Sequence, residues 1–233
     1  RNIFTLRASN LDIDTFLNDF GRLYESSKGW GKGDVFRPST SSLIAILDQT
    51  ISAVIHGEYQ YENGEDWILT PERRVNVMHA SSGQQEALPM LMVLSTWPLI
   101  YSDKEGMVFI EEPEAHLFPT AQSRIIAMLS HLYQELNVGF FLTSHSPYVL
   151  SALNNHILAG EAQAAGKLTS EEYTKMNGSG VPIHFEDVAA YTISKGTAES
   201  LADAEYRMIG ADMLDNVSEH FGEVANQLLE LTA

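Results

Sequence analysis

Met107-Val108-Phe109-Ile110-Glu111-Glu112-Pro113-Glu114-Ala115-His116-Leu117 is the stretch that decides the fold of this chain. Four apolar residues run into two adjacent carboxylates, and Pro113, which cannot donate to a ladder, stops the run. The pattern predicts a buried parallel strand that delivers acids to its C-terminal edge, where open α/β sheets take their ligands. Adjacent carboxylates are costly to bury together unless a cation or a protonated partner is near. The site therefore calls for a positive charge from outside the strand.

The flanking sequence supplies the layers. Pro119 opens a helix that turns Ile125, Leu129, Leu132, Tyr133 and Leu136 inward, and Val138 to Leu142 forms the next buried strand. Helix, strand, helix, strand implies a mostly parallel sheet flanked by helices, with right-handed crossovers. Upstream, residues 11–24 repeat apolar side chains at helical spacing behind Asp12, a candidate N-cap, and a second helix runs from about Ser41 to His56. Tyr59 and Tyr61 alternate with polar residues before Asn63-Gly64, a type I′ turn signal, and Trp67-Ile68-Leu69 returns as the second strand of a hairpin. Val75 and Val77 suggest a further short strand. Leu88 to Leu99 predicts a buried helix with Pro89 early in it or kinking it. Residues 160–182 read as a polar insertion with a helical piece and a mobile loop. Val188 to Ile193 resembles a strand, Lys195-Gly196 a turn, and Met213 to Leu231 an apolar stripe on a last helix. The expected division is residues 1–159 and a trailing α/β appendage, 160–233.

Three short motifs follow one another in order: Ser81-Ser82-Gly83-Gln84-Gln85, the Glu111-Glu112 element, and Thr143-Ser144-His145-Ser146-Pro147. With them the chain resembles the ATPase head of ABC-type, RecF/SMC-like proteins, and within these the AAA-labelled family of OLD nucleases and related phage-defence ATPases. The resemblance is tight over roughly residues 75–152. It implies a P-loop NTPase fold using ATP and Mg²⁺. SSGQQ would be the signature motif, Glu111 to His116 the Walker B and D-loop, and TSHSP the switch-histidine motif.

The chemistry of the residues agrees with those roles. Ser82, Gly83 and Gln84 would sit at a helix start, where free amides and the macrodipole favour a phosphate; the plain alternative is a serine N-cap. By resemblance, this element reaches nucleotide held by the opposite protomer. Glu111 would hold Mg²⁺ through water, since Mg²⁺ keeps part of its hydration shell. The family often has Asp at that position. Glu112 would orient or deprotonate the attacking water. By resemblance, Glu114 and His116 fall in the D-loop, where they would help form the dimer contact and bind the nucleotide held there. His145 would donate to a γ-phosphate oxygen. Ser144 and Ser146 invite a hydrolase reading, but no G-x-S-x-G elbow accompanies them.

No GxxxxGK[ST] occurs in the 233 residues, and the glycine- and lysine-rich run Ser26 to Gly33 lacks that spacing. The resemblance therefore implies a C-terminal lobe whose Walker A lies upstream or on another chain, and a fragment that binds ATP weakly alone. The missing initiator Met agrees with a start inside a longer polypeptide. The implied activity is ATP hydrolysis by a head-to-head homodimer that gates a nuclease or toxin partner in anti-phage defence or DNA repair. The competing expectation is a non-hydrolysing scaffold that senses nucleotide and holds an effector. Cysteine is absent, which excludes disulfides and thiolate zinc. The net charge of −17 argues against this segment serving as a DNA platform by itself, although DNA could bind elsewhere. From Glu199 onward eight acids face one base, Arg207, the pattern of a solvated face or of a surface for a basic partner. No apolar run is long enough to cross a membrane, and a cytoplasmic location is the expectation.

Overall fold

The computed structural model describes residues 15–28, 41–100, 106–136 and 138–210. Asp12 and the stripe from Met213 to Leu231 lie outside them. The chain separates into two compact units, Arg1–Thr143 and Ser144–Ala233.

In the first unit, helices α1 (Thr15–Ser27) and α2 (Ser41–Ile55) precede strands β1 (Glu58–Glu62), β2 (Glu65–Leu69) and β3 (Arg74–Asn76). The three strands form an antiparallel sheet in the order β1-β2-β3. Asn63 (φ 54°) and Gly64 (φ 82°) make the left-handed pair that a type I′ hairpin turn requires. A 3₁₀ turn, Val77–His79, takes the place of strand at Val77, because the Asn76 side chain accepts from the Met78 amide and starts a turn. Helix α3 (Ser82–Ile100) begins six residues before Leu88, so Pro89 lies within the helix. Strand β4 (Gly106–Glu111), helix α4 (Pro119–Leu136) and strand β5 (Val138–Thr143) complete the unit.

The core lies between α2, α3 and α4. Leu43, Leu47, Val54 and Ile55 of α2, Leu88 and Leu91 of α3, and Ile125, Met128 and Leu132 of α4 are all buried. Each such side chain contributes ~1.5–3 kcal/mol by leaving water. Helix α4 is buried at every position from Ile125 to Leu132, including Ser130 and His131. Ser130 meets the requirement for a partner by donating to the Ala127 carbonyl, and His131 lies 3.2 Å from Glu135.

β4 and β5 pair in parallel from Gly106↔Val138 to Glu111↔Thr143. Their two faces differ. Ile110 and Val138 are buried, whereas Met107, Phe109 and Phe141 on the other face are exposed by 60, 70 and 54%. The Phe109 and Phe141 rings lie 5.4 Å apart across the pair. Strand period two puts Glu111 on that same face.

A buried ion pair ties the end of α1 to the hairpin. Lys28 Nζ lies 2.8 Å from Asp66 Oδ2 and 3.0 Å from Glu25, with the Lys28 and Asp66 side chains only 6% and 8% exposed. Tyr59 donates to Asp66 Oδ1 at 2.6 Å, and the ammonium lies over the Tyr24 ring at 4.5 Å. Burial, followed by the neighbouring Asp66 charge, pushes the Tyr24 hydroxyl well above its ordinary pKa; burial, then Tyr24, does the same to Tyr59.

In the second unit, α5 (Pro147–Ala164) and α6 (Ser170–Asn177) are followed by two antiparallel pairs, β6 (Tyr191–Ser194) with β7 (Thr197–Ser200) and β8 (Ala202–Asp203) with β9 (Met208–Ile209). The polar stretch from residue 160 is more ordered than its composition suggests. Residues 160–164 are the last turn of α5, where a Cβ on Gly160 would come within 2.1 Å of the Ile183 carbonyl. Thr169 and Glu172 form a capping box for α6, whose Tyr173 is buried with its hydroxyl 2.9 Å from His156 Nδ1. Burial pushes the Tyr173 pKa up to about 12. The Asn154 amide pairs with both backbone polar groups of Ile209 at 2.8 Å, and Arg207 bridges Glu161 and Glu186 beside the Phe185 ring.

Lys28→Met should lower unfolding free energy by ~3 kcal/mol or more, because it strands a buried carboxylate. Arg74→Met, at the exposed pair with Glu62, should cost under ~1 kcal/mol. Urea midpoints of the two variants check this, and equal losses would refute a buried role for Lys28.

Candidate functional site

The signature-like element is first a helix cap. Ser81 precedes α3, and Ser82, Gly83 and Gln84 are its first three residues. Gln84 Oε1 accepts from the Ser81 amide and hydroxyl at 3.1 Å, while Ser81 Oγ takes the Gln84 amide at 3.4 Å. This is the reciprocal capping box of Ser-x-x-Gln. Gln84 Nε2 donates to the Ile55 carbonyl at 2.6 Å, fixing the end of α2 to the start of α3. Gln85 Nε2 reaches the carbonyls of Met78 and Ala80. Both glutamines thus orient the helix start, and Gln84 has both ends of its amide engaged. Ser82 remains exposed at the first helical position.

Gly83 is required by packing. A Cβ there would lie 2.5 Å from the carbonyl oxygen of His116 and 3.2 Å from Leu117 Cδ2. The start of α3 therefore rests on the turn that follows β4. His116 Nε2 also lies 3.7 Å from Glu86 Oε1.

That turn carries the acids. Glu111 ends β4, and the Glu112 amide donates to the Thr143 carbonyl at 2.9 Å, continuing the parallel ladder one residue past the strand. Glu112 then adopts φ 46° and His116 φ 58°, left-handed conformations that cost a β-carbon residue ~1–3 kcal/mol. Amides of Ala115 and Leu117 close onto the carbonyls of Glu112 and Glu114. Pro113 is buried, Glu114 is half-buried, and Glu111, Glu112 and His116 are exposed. Gln122 of α4 donates to the Leu117 carbonyl at 2.9 Å and anchors the far end of the turn. Strain and exposed acids coincide on one short segment.

Among the described residues no three His, Cys, Asp or Glu side chains gather as a metal cage. One or two exposed carboxylates at a strand end nevertheless suit Mg²⁺, which takes hard oxygen donors and completes its octahedron with water and substrate phosphates. Glu111, with Glu112 beside it, is the donor set that fits.

In the second unit the serines of TSHSP are caps. Ser146 Oγ accepts from the Tyr148 amide at 3.2 Å as N-cap of α5, and Ser144 Oγ accepts from the Ser146 amide at 3.1 Å. His145 between them is exposed. The structure thus seats Gly83, between Ser82 and Gln84 at the start of α3, on His116 of the turn that also carries Glu111, Glu112 and Glu114, all in the first unit, and carries His145 in the second. Sequence reasoning missed the close seat of Gly83 on His116, since no local pattern encodes a contact across thirty residues. It also missed Thr143 as the carbonyl that holds Glu112.

The pattern of the AAA ATPase domain family matches residues 10–150, more than half of the chain, and the chain belongs to that family. Among solved structures it is similar to an SMC head domain from Thermotoga maritima, at 16% identity and TM-score 0.36, covering 57% of this chain and 44% of that one. It is also similar to a structure described under ATP-driven dimerization and DNA-stimulated activation of SMC ATPases, at 11% identity and TM-score 0.43, covering 89% of this chain and 96% of that one. The chain thus spans less than half the length of the Thermotoga head. No curated protein matches it. Among the described residues no helix is long and apolar enough to cross a membrane.

Gly83→Ala should cost ~1–3 kcal/mol of unfolding free energy by overpacking against His116; an unchanged urea midpoint would mean that the two segments part easily. Glu112→Asn should move stability the other way. Asn tolerates the left-handed region, so the variant should gain ~0.5–1 kcal/mol. A thermal midpoint at or below the parent's would count against strain at this position.

Proposed function

We propose that this chain, as a member of the AAA ATPase domain family, supplies the acid-bearing part of an ATP-hydrolysing site. One observation carries the proposal: an exposed carboxylate pair at the C-terminal end of a parallel strand, with Glu112 held in strained backbone by the Thr143 carbonyl. Strain at an exposed acid is hard to explain by stability and easy to explain by chemistry.

In this scheme Glu111 would hold Mg²⁺, which suits a carboxylate donor and keeps most of its waters. The ion, when bound, neutralises charge on the β- and γ-phosphates. Glu112 accepts a hydrogen bond from the attacking water and aligns it with the γ-phosphorus. The turn fixes the backbone from which that carboxylate projects, which limits the ordering left for the reaction step. His145 keeps the role its motif suggests, donation to a γ-phosphate oxygen. Exposed Ser82 and the first amides of α3 offer donors to a phosphate. The Gly83 seat supports a linked role, because a phosphate drawn to the start of α3 pulls on the turn that carries Glu112.

The finer parts of the proposal rest on the motifs. They are a homodimer that sandwiches ATP, with Ser82 and Gly83 acting on the opposite protomer's nucleotide, a P-loop outside these 233 residues, and a nuclease or toxin effector gated by turnover.

In the full-length protein, Glu112→Gln should leave ATP binding near the parental value and cut turnover ~10²–10⁴-fold. Steady-state phosphate release with parallel nucleotide titration measures both. Parental turnover would remove Glu112 from the mechanism. Nucleotide binding with no turnover in the parent would favour the sensing scaffold.

A further inference from the structure

We propose that the Thr143 hydroxyl is a positioning group for the metal site, orienting a metal-bound water shared with Glu111. The inference rests on the assignment of Glu111 to Mg²⁺ and adds a residue to it. Thr143 faces Glu111 in the parallel register, the last pair of the β4–β5 ladder. Paired residues on adjacent strands share a face about 5 Å apart, a separation that one water bridges. Both side chains are exposed, and neither has a hydrogen-bond or ion-pair partner among the described residues. The backbone of Thr143 is already committed to the site, since its carbonyl takes the Glu112 amide at 2.9 Å. One residue therefore meets both acids, by main chain on Glu112 and by position beside Glu111.

The physical need is specific. Mg²⁺ bound through a single carboxylate keeps most of its waters, and those waters must be oriented for the ion to sit in one place. A hydroxyl can donate to or accept from such a water, whereas the apolar residues leading to it, Phe140, Phe141 and Leu142, cannot. Valine at 143 would retain the shape and strand preference of threonine and remove only the hydroxyl.

The test uses the full-length protein with Mn²⁺ as the metal and a non-hydrolysable ATP analogue. Free Mn²⁺ is read by electron paramagnetic resonance. Thr143→Val should weaken Mn²⁺ retention ~3–10-fold, the effect of one lost hydrogen bond. Thr143→Ser should restore it, and urea midpoints should match the parent. Retention by the valine variant at the parental level, or equal weakening by valine and serine, would overturn the role of the hydroxyl. Glu111→Gln separates the two levels. If it too leaves Mn²⁺ retention unchanged, the assignment of Glu111 falls; if only Thr143→Val is silent, this inference alone falls.

Discussion

The hydrogen bond from the Glu112 amide to the Thr143 carbonyl is the constraint on which the site depends. It extends a parallel ladder beyond the last residue that is strand on both sides. Pro113 has no N–H to offer on the opposite edge of β4, and the chain turns at once. Glu112 passes through the left-handed region, and His116 leaves the turn through it again. Buried Pro113 and the Gln122 bond to Leu117 hold the two ends of this excursion. The acids are consequently displayed in water by a segment whose backbone has few alternatives.

The motifs have a structural purpose beside the chemistry proposed for them. Ser81 and Gln84 cap α3, Ser146 caps α5, and Ser144 braces the Ser146 amide. Capping leaves Ser82 and His145 exposed beside ordered helix starts. Gly83 is the joint between the capped helix and the acidic turn, because only a residue without Cβ lets the His116 carbonyl approach so closely. A substitution in these stretches therefore perturbs the fold, and stability must be measured beside activity to test any part in chemistry.

Much of this was legible in the residues themselves. Apolar runs ending in Pro113 and Thr143 mark the two parallel strands, Pro119 marks the helix between them, and Asn63-Gly64 marks the hairpin. These are local signals with local causes. Contacts between distant residues were not legible. Nothing near Lys28 in sequence announces Asp66 as its buried partner, and nothing near Gly160 announces Ile183. Composition misled at residues 160–164, where polar letters belong to the last turn of a helix. The start of α3 was legible at Ser82 and Gly83, although the apolar face of the helix appears only a turn and a half later. Glu112 was legible as an acid of interest, but its left-handed backbone was not, because a residue before proline is ordinarily extended.

The uncovered face of the β4–β5 pair has a colloidal consequence. Met107, Phe109 and Phe141 form an adhesive strip, and among the described residues each strand has a neighbour on one side only. Such a strip invites edge-on and face-on association between copies. What opposes it is charge: at −17, approaching copies repel one another. That repulsion extends over roughly 10 Å at 0.1 M salt and shrinks to about 3 Å at 1 M, whereas apolar adhesion does not weaken with salt. The balance between dispersed and clustered molecules is therefore set by the ionic medium as much as by the protein.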